Sequence, residues 1–420
     1  MESPNVLFIM LPFPSHYLAC FPYAKTLLRE GKLVIFTGSV NQKKIVEAEG
    51  FSFREVTYTS EYTITSFKIF IALLLQSIFD KTAFVKRFKA WLNSVRTMDV
   101  VLQTTSPVKV YMDDHLWHYY PMILKRCPSI EIINTKLSTK KSVAIPPLDS
   151  SFIPKSSFLS QVICEILWFN HLMRLRIRES LVRVAHLNRD EDYFTERLAK
   201  KLGLDLSKLI DRRNCFYRGL RGVKVLVLAP RSLEFPHKLL KPNEYYLDVP
   251  IDRNEEHLFS RQYIDFASES KVLKTEGKKI IYCSFGTLGY INEKRVTKFA
   301  HLLFSILERE KNWHLIFSTG GIRFERIPRN VVLFDQVPQL SLLKNCNLMI
   351  THGGLTSIKE CIQNGVPMLV YPLNEKVDQK GNAARVNFHG LGLRGNISSD
   401  SLENTWKKIT SLLQVNFVHK

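Results

Sequence analysis

Uninterrupted apolar runs, each ending in a small or polar loop before a helix-patterned stretch, limit this chain more than any other feature. "NVLFIM" and "KLVIFTG" in the first half are such runs, as are "KKIIYCSFGT" and "CNLMITHGG" in the second. A strand with water on one face alternates polar and apolar side chains; a strand covered on both faces does not need to. The runs therefore predict parallel sheets with helices on both sides. "NVLFIM" leads through "LPFPSH" into a helix from about Tyr17 to Glu30, with Gly31 as its stop. "KLVIFTG", a helix in "NQKKIVEAEG" and "FSFREV" follow. The rhythm then gives way to helices over about 63–105, resumes at "VKVYMDD" and "EIINTKL", turns helical again over 156–210, and ends at "GVKVLVLAP". It restarts at "KKIIYCSFGT" and continues through "WHLIFSTGG", "VVLFDQ", "CNLMITHGG" and "VPMLVYPL" with helices between. The expected fold is α/β, with two Rossmann-like parallel domains in tandem and a cleft between them. Residues 1–241 form the first domain, 242–277 a weakly patterned linker, and 278–420 the second. The last helix is a candidate to pack back on the first domain.

A chain of 420 residues, 45% hydrophobic, can bury such cores without staples. Seven scattered cysteines with no CxxC pair read as reduced thiols, so the expected location is the cytoplasm. The N-terminus lacks the basic start and long apolar run of a signal peptide. No run approaches the roughly 18 apolar residues of a membrane span. The longest, Ile69 to Phe79, reads as a buried or interfacial helix. Net charge is +20. No aromatic-interleaved basic motif accompanies it, which argues against nucleic acid. Weak peripheral attraction to an anionic membrane is compatible with that charge.

In parallel sheets ligands gather where strands end in loops. "MITHGGLTSIKE" ends a strand, brings the backbone close at Gly353 and Gly354, and starts a helix whose exposed N–H groups favour phosphate. His352 and Ser357 can donate there, and Glu360 lies one turn beyond, within reach of a ribose. "SFGT" supplies Ser284, Gly286 and Thr287 at the same sheet edge. Asp378 and Gln379 in "YPLNEKVDQKGN" suit a polyhydroxylated ligand. In the first half, His16 follows a strand, while Asp113 and Asp114 end another. An imidazole with a carboxylate partner is what general-base chemistry needs. Two further clusters read as structural: His115 and His118 in "DDHLWH" lack further metal ligands, and Asp190 and Asp192 in "RDED" read as a solvated helix face.

The run from Val337 to Val386, with "YCSFGT" upstream and "PFPSHYLACFPYAKTLLREGKLVIFTG" near the N-terminus, resembles the family 1 UDP-dependent glycosyltransferases, and is similar to the bacterial macrolide-glycosyltransferase type. The resemblance implies a GT-B fold and a UDP-sugar co-substrate held by the second domain. It sets Val337 and Gln339 at the uracil and Glu360 at the ribose. His352, Gly353, Gly354, Ser357, Ser284, Gly286 and Thr287 fall around the diphosphate, with Asp378 and Gln379 at the sugar hydroxyls. His16 matches the catalytic base, with Asp113 ahead of Asp114 as its acidic partner. The chain departs from the family at Gln336, where an aromatic ring often stacks on uracil, and at Thr356, where many members have Asn.

The implied reaction is inverting transfer of a hexose, glucose first, to a hydroxyl of a hydrophobic small molecule (a polyketide, phenolic, terpenoid or sterol-like acceptor), by a monomer needing no metal or other cofactor. Phe67, Phe70, Phe79, Phe84, Phe152, Phe158, Trp168 and Phe169 lie in the least patterned segments. The plain expectation is that most are core and the remainder face an apolar acceptor. The alternatives are a glycosyltransferase working on membrane lipid, with the basic, apolar "FLSQVICEILWFNHLMRLRIRESLVRV" as an interfacial helix, a non-catalytic nucleotide-sugar-binding protein, and a UDP-sugar epimerase of similar fold.

Overall fold

The structure is a computed structural model. It describes residues 4–59, 66–211, 214–216, 218–236, 243–255, 258–286, 292–374 and 376–414. Contacts divide the chain into two units: Met1–Pro147 with Ser156–Pro230 and His237–Val249, and Leu148–Lys155 with Arg231–Pro236 and Pro250–Lys420.

The first unit carries strands β1 (Asn5–Ile9), β2 (Leu33–Gly38), β3 (Ser52–Glu55), β4 (Lys109–Asp113), β5 (Ile130–Asn134), a small antiparallel pair β6 (Ile210–Asp211) and β7 (Gly219–Leu220), then β8 (Val225–Val227) and β9 (Glu244–Tyr246). Its helices are α1 (Pro14–Arg29), α2 (Val40–Glu47), α3 (Phe67–Phe79), α4 (Lys81–Thr105), α5 (Tyr120–Arg126), α6 (Phe158–Ala185), α7 (Glu191–Lys201) and α8 (Leu206–Leu209). The sheet order is β3-β2-β1-β4-β5-β8-β9, and every pair is parallel. The order reverses between β1 and β4, so the loops after those two strands diverge and leave a crevice. Helix α1 starts with proline in its first turn, where a missing N–H costs nothing. Its apolar side buries Tyr17, Phe21 and Ala24 on the sheet beside Phe8, which stacks on Phe36 and Tyr111 at 4.7 Å each.

The second unit carries β10 (Lys279–Ser284), β11 (Trp313–Ser318), β12 (Val331–Phe334), β13 (Leu348–Thr351), β14 (Met368–Val370) and β15 (Gly392–Arg394). Its helices are α9 (Arg261–Thr275), α10 (Glu293–Arg309), α11 (Gln339–Leu343), α12 (Leu355–Asn364), α13 (Gln379–Phe388) and α14 (Leu402–Gln414). All pairs are parallel, in the order β12-β11-β10-β13-β14-β15, and the reversal falls between β10 and β13. Helix α10 buries Val296, Phe299, Ala300 and Leu303, the i, i+3, i+4, i+7 stripe of an amphipathic helix. Helix α12 stops at Gly365, whose φ of +66° ends it without the strain a side chain would bring.

Three sequence expectations about organisation need correction. The supposed linker 242–277 holds β9, which joins the first sheet, and α9, whose Tyr263, Phe266 and Leu273 are buried in the second unit. The first domain does not keep all of 1–241: Leu148–Lys155 and Arg231–Pro236 belong to the second unit. In that unit the Glu234 carboxylate meets the Arg385 guanidinium at 2.5 Å, both side chains 1% exposed. The last helix packs on its own unit, with Ile409 and Leu412 in that unit's core and Trp406 Nε1 donating to Glu310 Oε1 at 2.6 Å.

Candidate active site

At the reversal in the first sheet, the pairing of Ile9 with Met112 sets Asp113 beside the chain leaving β1. His16 lies in the first turn of α1, 7% exposed, and its Nδ1 is 2.5 Å from Asp113 Oδ2. The other carboxylate oxygen accepts twice from His115, from the backbone N–H at 3.1 Å and from Nδ1 at 2.7 Å. Lys136 Nζ lies 3.0 Å from His115 Nε2. An ammonium donates only, so this contact makes Nε2 the acceptor and leaves the His115 proton on Nδ1, facing Asp113. Burial alone would raise the Asp113 carboxyl, but the His16 and His115 imidazoles outweigh it and hold the group well below the usual carboxylate range. The ionised carboxylate accepts the Nδ1 proton of His16, which makes Nε2 the basic nitrogen.

At the reversal in the second sheet, β10 ends at Ser284 and β13 at Thr351, paired side by side. His352 sits between two glycines. A methyl on Gly286 would lie 3.0 Å from His352 Cε1, and one on Gly354 2.9 Å from Nε2. Gly353, at φ +88°, would drive a side chain into Val370 at 2.7 Å. Helix α13 closes the group: Asn382 Nδ2 donates to the Gly353 carbonyl and to Asp378 Oδ2, both at 2.9 Å. Burial pushes the His352 imidazole down to about 4, against the opposing charge of Asp378. It is therefore a neutral donor at neutral pH.

That shift has a consequence for stability. The unfolded histidine binds a proton near pH 6.5 and the folded one only near 4, so the unfolded state holds more protons between those values. The contribution is complete above pH 6.5 and is lost as pH falls through 6.5 towards 4. The loss amounts to about 2–3 kcal/mol at pH 4.5. Urea unfolding of the wild type and His352→Gln at pH 7.5 and 4.5 is expected to show the smaller acid loss in the variant; equal losses would contradict the assignment.

Beside α12 lies a third group. Gln339 Nε2 donates to Ser357 Oγ at 3.2 Å and to Glu360, while its Oε1 accepts from Tyr282 at 3.0 Å. Glu360 is fully buried and pairs with Arg253 Nη1 at 2.7 Å. Burial still raises its carboxyl, with Arg253 opposing. Arg253 also meets Glu255 at 2.9 Å, and Glu255 accepts the Leu340 and Ser341 N–H groups at the start of α11.

A model of the UDP-glucoronosyl and UDP-glucosyl transferase family matches residues 176–414, more than half of the 420. The chain belongs to that family. It is 33% identical over 193 residues to the NDP-glycosyltransferase YjiC of Bacillus subtilis, covering 44% of this chain and 45% of that protein. The chain thus spans less than half the length of this relative. It is 24% identical to human UDP-glucuronosyltransferase 1A3 over 97% of its own length and 76% of the human protein. Among solved structures, the glycotransferase of kitacinnamycin superposes with a TM-score of 0.66 at 17% identity, over 98% of this chain and 91% of that one. The fold is GT-B.

Set against the family pattern, the structure brings His16 to Asp113 and not to Asp114, whose Oδ1 lies 2.7 Å from His115 Nδ1. It groups Ser284, Gly286, His352, Gly353 and Gly354, and separately Gln339, Ser357 and Glu360, with Val337 buried at the start of the turn into α11. Thr287 lies outside the described residues. Gln379 departs from expectation: its Oε1 accepts the Leu373 and Asn374 N–H groups at 2.7 and 2.8 Å. Its inward oxygen serves the loop, which leaves the amide NH2 as what it can offer and Asp378 as the acceptor. Gln336 is exposed, and the nearby Phe334 packs against Tyr263 and Phe266 in the core.

The other two clusters also resolve. Asp190 and Asp192 are not solvated: Asp190 caps α7 through the Tyr193 N–H, and Asp192 pairs with Arg218. His115 joins His16 and Asp113 in the one group among the described residues with metal-compatible spacing, whereas His118 is buried and is not a member of that set. Arg253, Glu255, Lys136 and the role of His115 escaped the sequence reading. The first two sit where no periodicity marks them, and only His115 carried a signal, as a histidine two residues past the acid.

Proposed function

We propose that this chain transfers a hexose, with glucose the first candidate, from a UDP-sugar to a hydroxyl of a hydrophobic small molecule, inverting the anomeric carbon. The observation that carries the reading is the buried 2.5 Å contact between His16 Nδ1 and Asp113 at the reversal point of the first sheet. His16 Nε2 takes the proton of the acceptor hydroxyl as its oxygen attacks the anomeric carbon. The bond from that carbon to the diphosphate breaks, and UDP leaves with the electron pair. Asp113 stabilises the imidazolium. The amino end of α12 and the neutral His352 meet the charge growing on the diphosphate.

These neutral donors do the work a divalent cation does elsewhere, so no metal or other cofactor is required. The Lys136 ammonium, already against His115, opposes a cation among His16, Asp113 and His115. Asp378 accepts from the sugar hydroxyls and Gln379 donates to them. Val337 and Gln339 hold uracil, and Glu360 the ribose. The similarity to an NDP-glycosyltransferase and a UDP-glucuronosyltransferase supports a nucleotide-sugar donor. The same reading takes the protein as a cytoplasmic monomer that binds no nucleic acid.

The test is UDP binding by calorimetry, then UDP release from a panel of UDP-sugars in EDTA with mixed hydrophobic alcohols and phenols. Acceptor-dependent release is expected; binding without turnover would favour a non-catalytic binding protein. Gly354→Ala is expected to push the His352 ring aside and weaken UDP about tenfold, the equivalent of about 1.4 kcal/mol. Unchanged affinity would detach the histidine from the diphosphate.

A further inference from the structure

Helix α6 buries Ser160, Cys164, Trp168 and His171 on one side. On the other it exposes Phe158, Val162, Ile166, Phe169, Met173 and Ile177, with Phe158 at 81% and Phe169 at 63%. The spacing of three or four keeps these side chains in one stripe. Leu181 and Val184 extend it, so the stripe runs about 40 Å along the helix. Arg176 and Arg174 fall on its two edges, with Arg178 a step further round, and all three are exposed. Helix α3 packs against α6 and has no buried residue, although ten of its thirteen residues ("FKIFIALLLQSIF") are apolar, all but Lys68, Gln76 and Ser77. It exposes Phe67, Leu75, Ile78 and Phe79, with Phe79 at 79%. Sequence reasoning gave most of the aromatic residues here to the core; Trp168 is there, but Phe67, Phe79, Phe158 and Phe169 are not.

Monomeric proteins rarely leave so continuous an apolar face in water. What covers it must be apolar, extended and negatively charged beside the arginines. Among the described residues no helix is long and apolar enough to cross a membrane. A helix that is apolar on one side, edged by arginine and too polar to insert fully lies in a bilayer surface. We propose that α3 and α6 form a docking surface for an anionic lipid bilayer. The rings of Phe158, Phe169, Phe67 and Phe79 enter the acyl boundary, and Arg174, Arg176 and Arg178 meet the headgroups. The +20 net charge adds attraction at longer range. Resting on the transferase reading, the surface would let the enzyme collect hydrophobic alcohols dissolved in the membrane.

The test is sedimentation of the full chain with phosphatidylcholine vesicles, with and without phosphatidylserine, in the absence of donor and acceptor. Transfer chemistry plays no part in that readout, so its failure and the failure of the transferase reading are separable. Binding is expected to be at least about tenfold tighter with phosphatidylserine and to fall as salt rises. Phe158→Ser with Phe169→Ser, and separately Arg176→Glu with Arg178→Glu, should each weaken it about tenfold or more while circular dichroism and UDP binding stay unchanged. No binding to either vesicle would overturn the proposal. So would a concentration-dependent dimer lost in the Phe158→Ser, Phe169→Ser variant without vesicle binding, which would assign the face to a second copy of the chain.

Discussion

Replacing His16 by alanine is expected to lower turnover about a hundredfold or more, with the affinity for UDP unchanged. The ring is buried on Asp113 in the first unit, while the glycine loop, α12 and the Glu360 group lie in the second. Removing it takes away the proton acceptor and touches none of the residues assigned to the nucleotide. Asp113→Asn should lose a comparable factor for a different reason. An amide can turn its NH2 towards Nδ1, which then becomes the acceptor and places the proton on Nε2, where the base is needed. The neutral amide also no longer stabilises the imidazolium. Parallel steady-state rates and calorimetric UDP titrations of the two variants check this. Loss of UDP affinity together with rate would point to misfolding, and full activity in His16→Ala would remove the residue from the mechanism.

The second large effect is on stability. Arg385 and Glu234 are almost wholly removed from water and meet at 2.5 Å, with the guanidinium over the Phe235 ring at 4.7 Å. Glu234 Oε1 also accepts the Phe235 N–H at 3.0 Å. A buried carboxylate that loses its cation keeps its desolvation cost without the compensating attraction. Arg385→Met is therefore expected to destabilise the second unit by about 3–5 kcal/mol. Removing both charges, as Arg385→Met with Glu234→Gln, should recover most of that loss, because the pair as a whole is worth much less than breaking it. Urea unfolding separates the cases. A single variant within about 1 kcal/mol of the wild type would mean that water reaches Glu234.

Much of the fold was legible because apolar strands covered on both faces announce themselves. Both sheets stand where the runs "NVLFIM" and "KKIIYCSFGT" lie. The motif at His352 was legible for the same reason: glycines after a buried strand have few uses other than close approach of backbone or ligand. What stayed hidden was tertiary. Nothing local distinguishes Asp113 from Asp114; the register of β4 on β1 does, and it depends on pairing between residues about a hundred positions apart. Arg253 and Glu255 sit in a segment of unpatterned charge, and their role arises only when Glu360 is brought to them. The exposed face of α6 was legible in part, since its basic, apolar stretch reads as an interfacial helix under the membrane-lipid alternative. Its spacing of three and four fits a core-facing helix as well as a bilayer-facing one.

The most direct test of the central claim is UDP release from UDP-glucose in EDTA, with and without mixed hydrophobic hydroxylated acceptors, in wild type and His16→Ala side by side. The account predicts acceptor-dependent release in the wild type, about a hundredfold or more less in the variant, and equal UDP binding by both. Release at the same rate in both proteins, or the absence of any UDP binding, would contradict it.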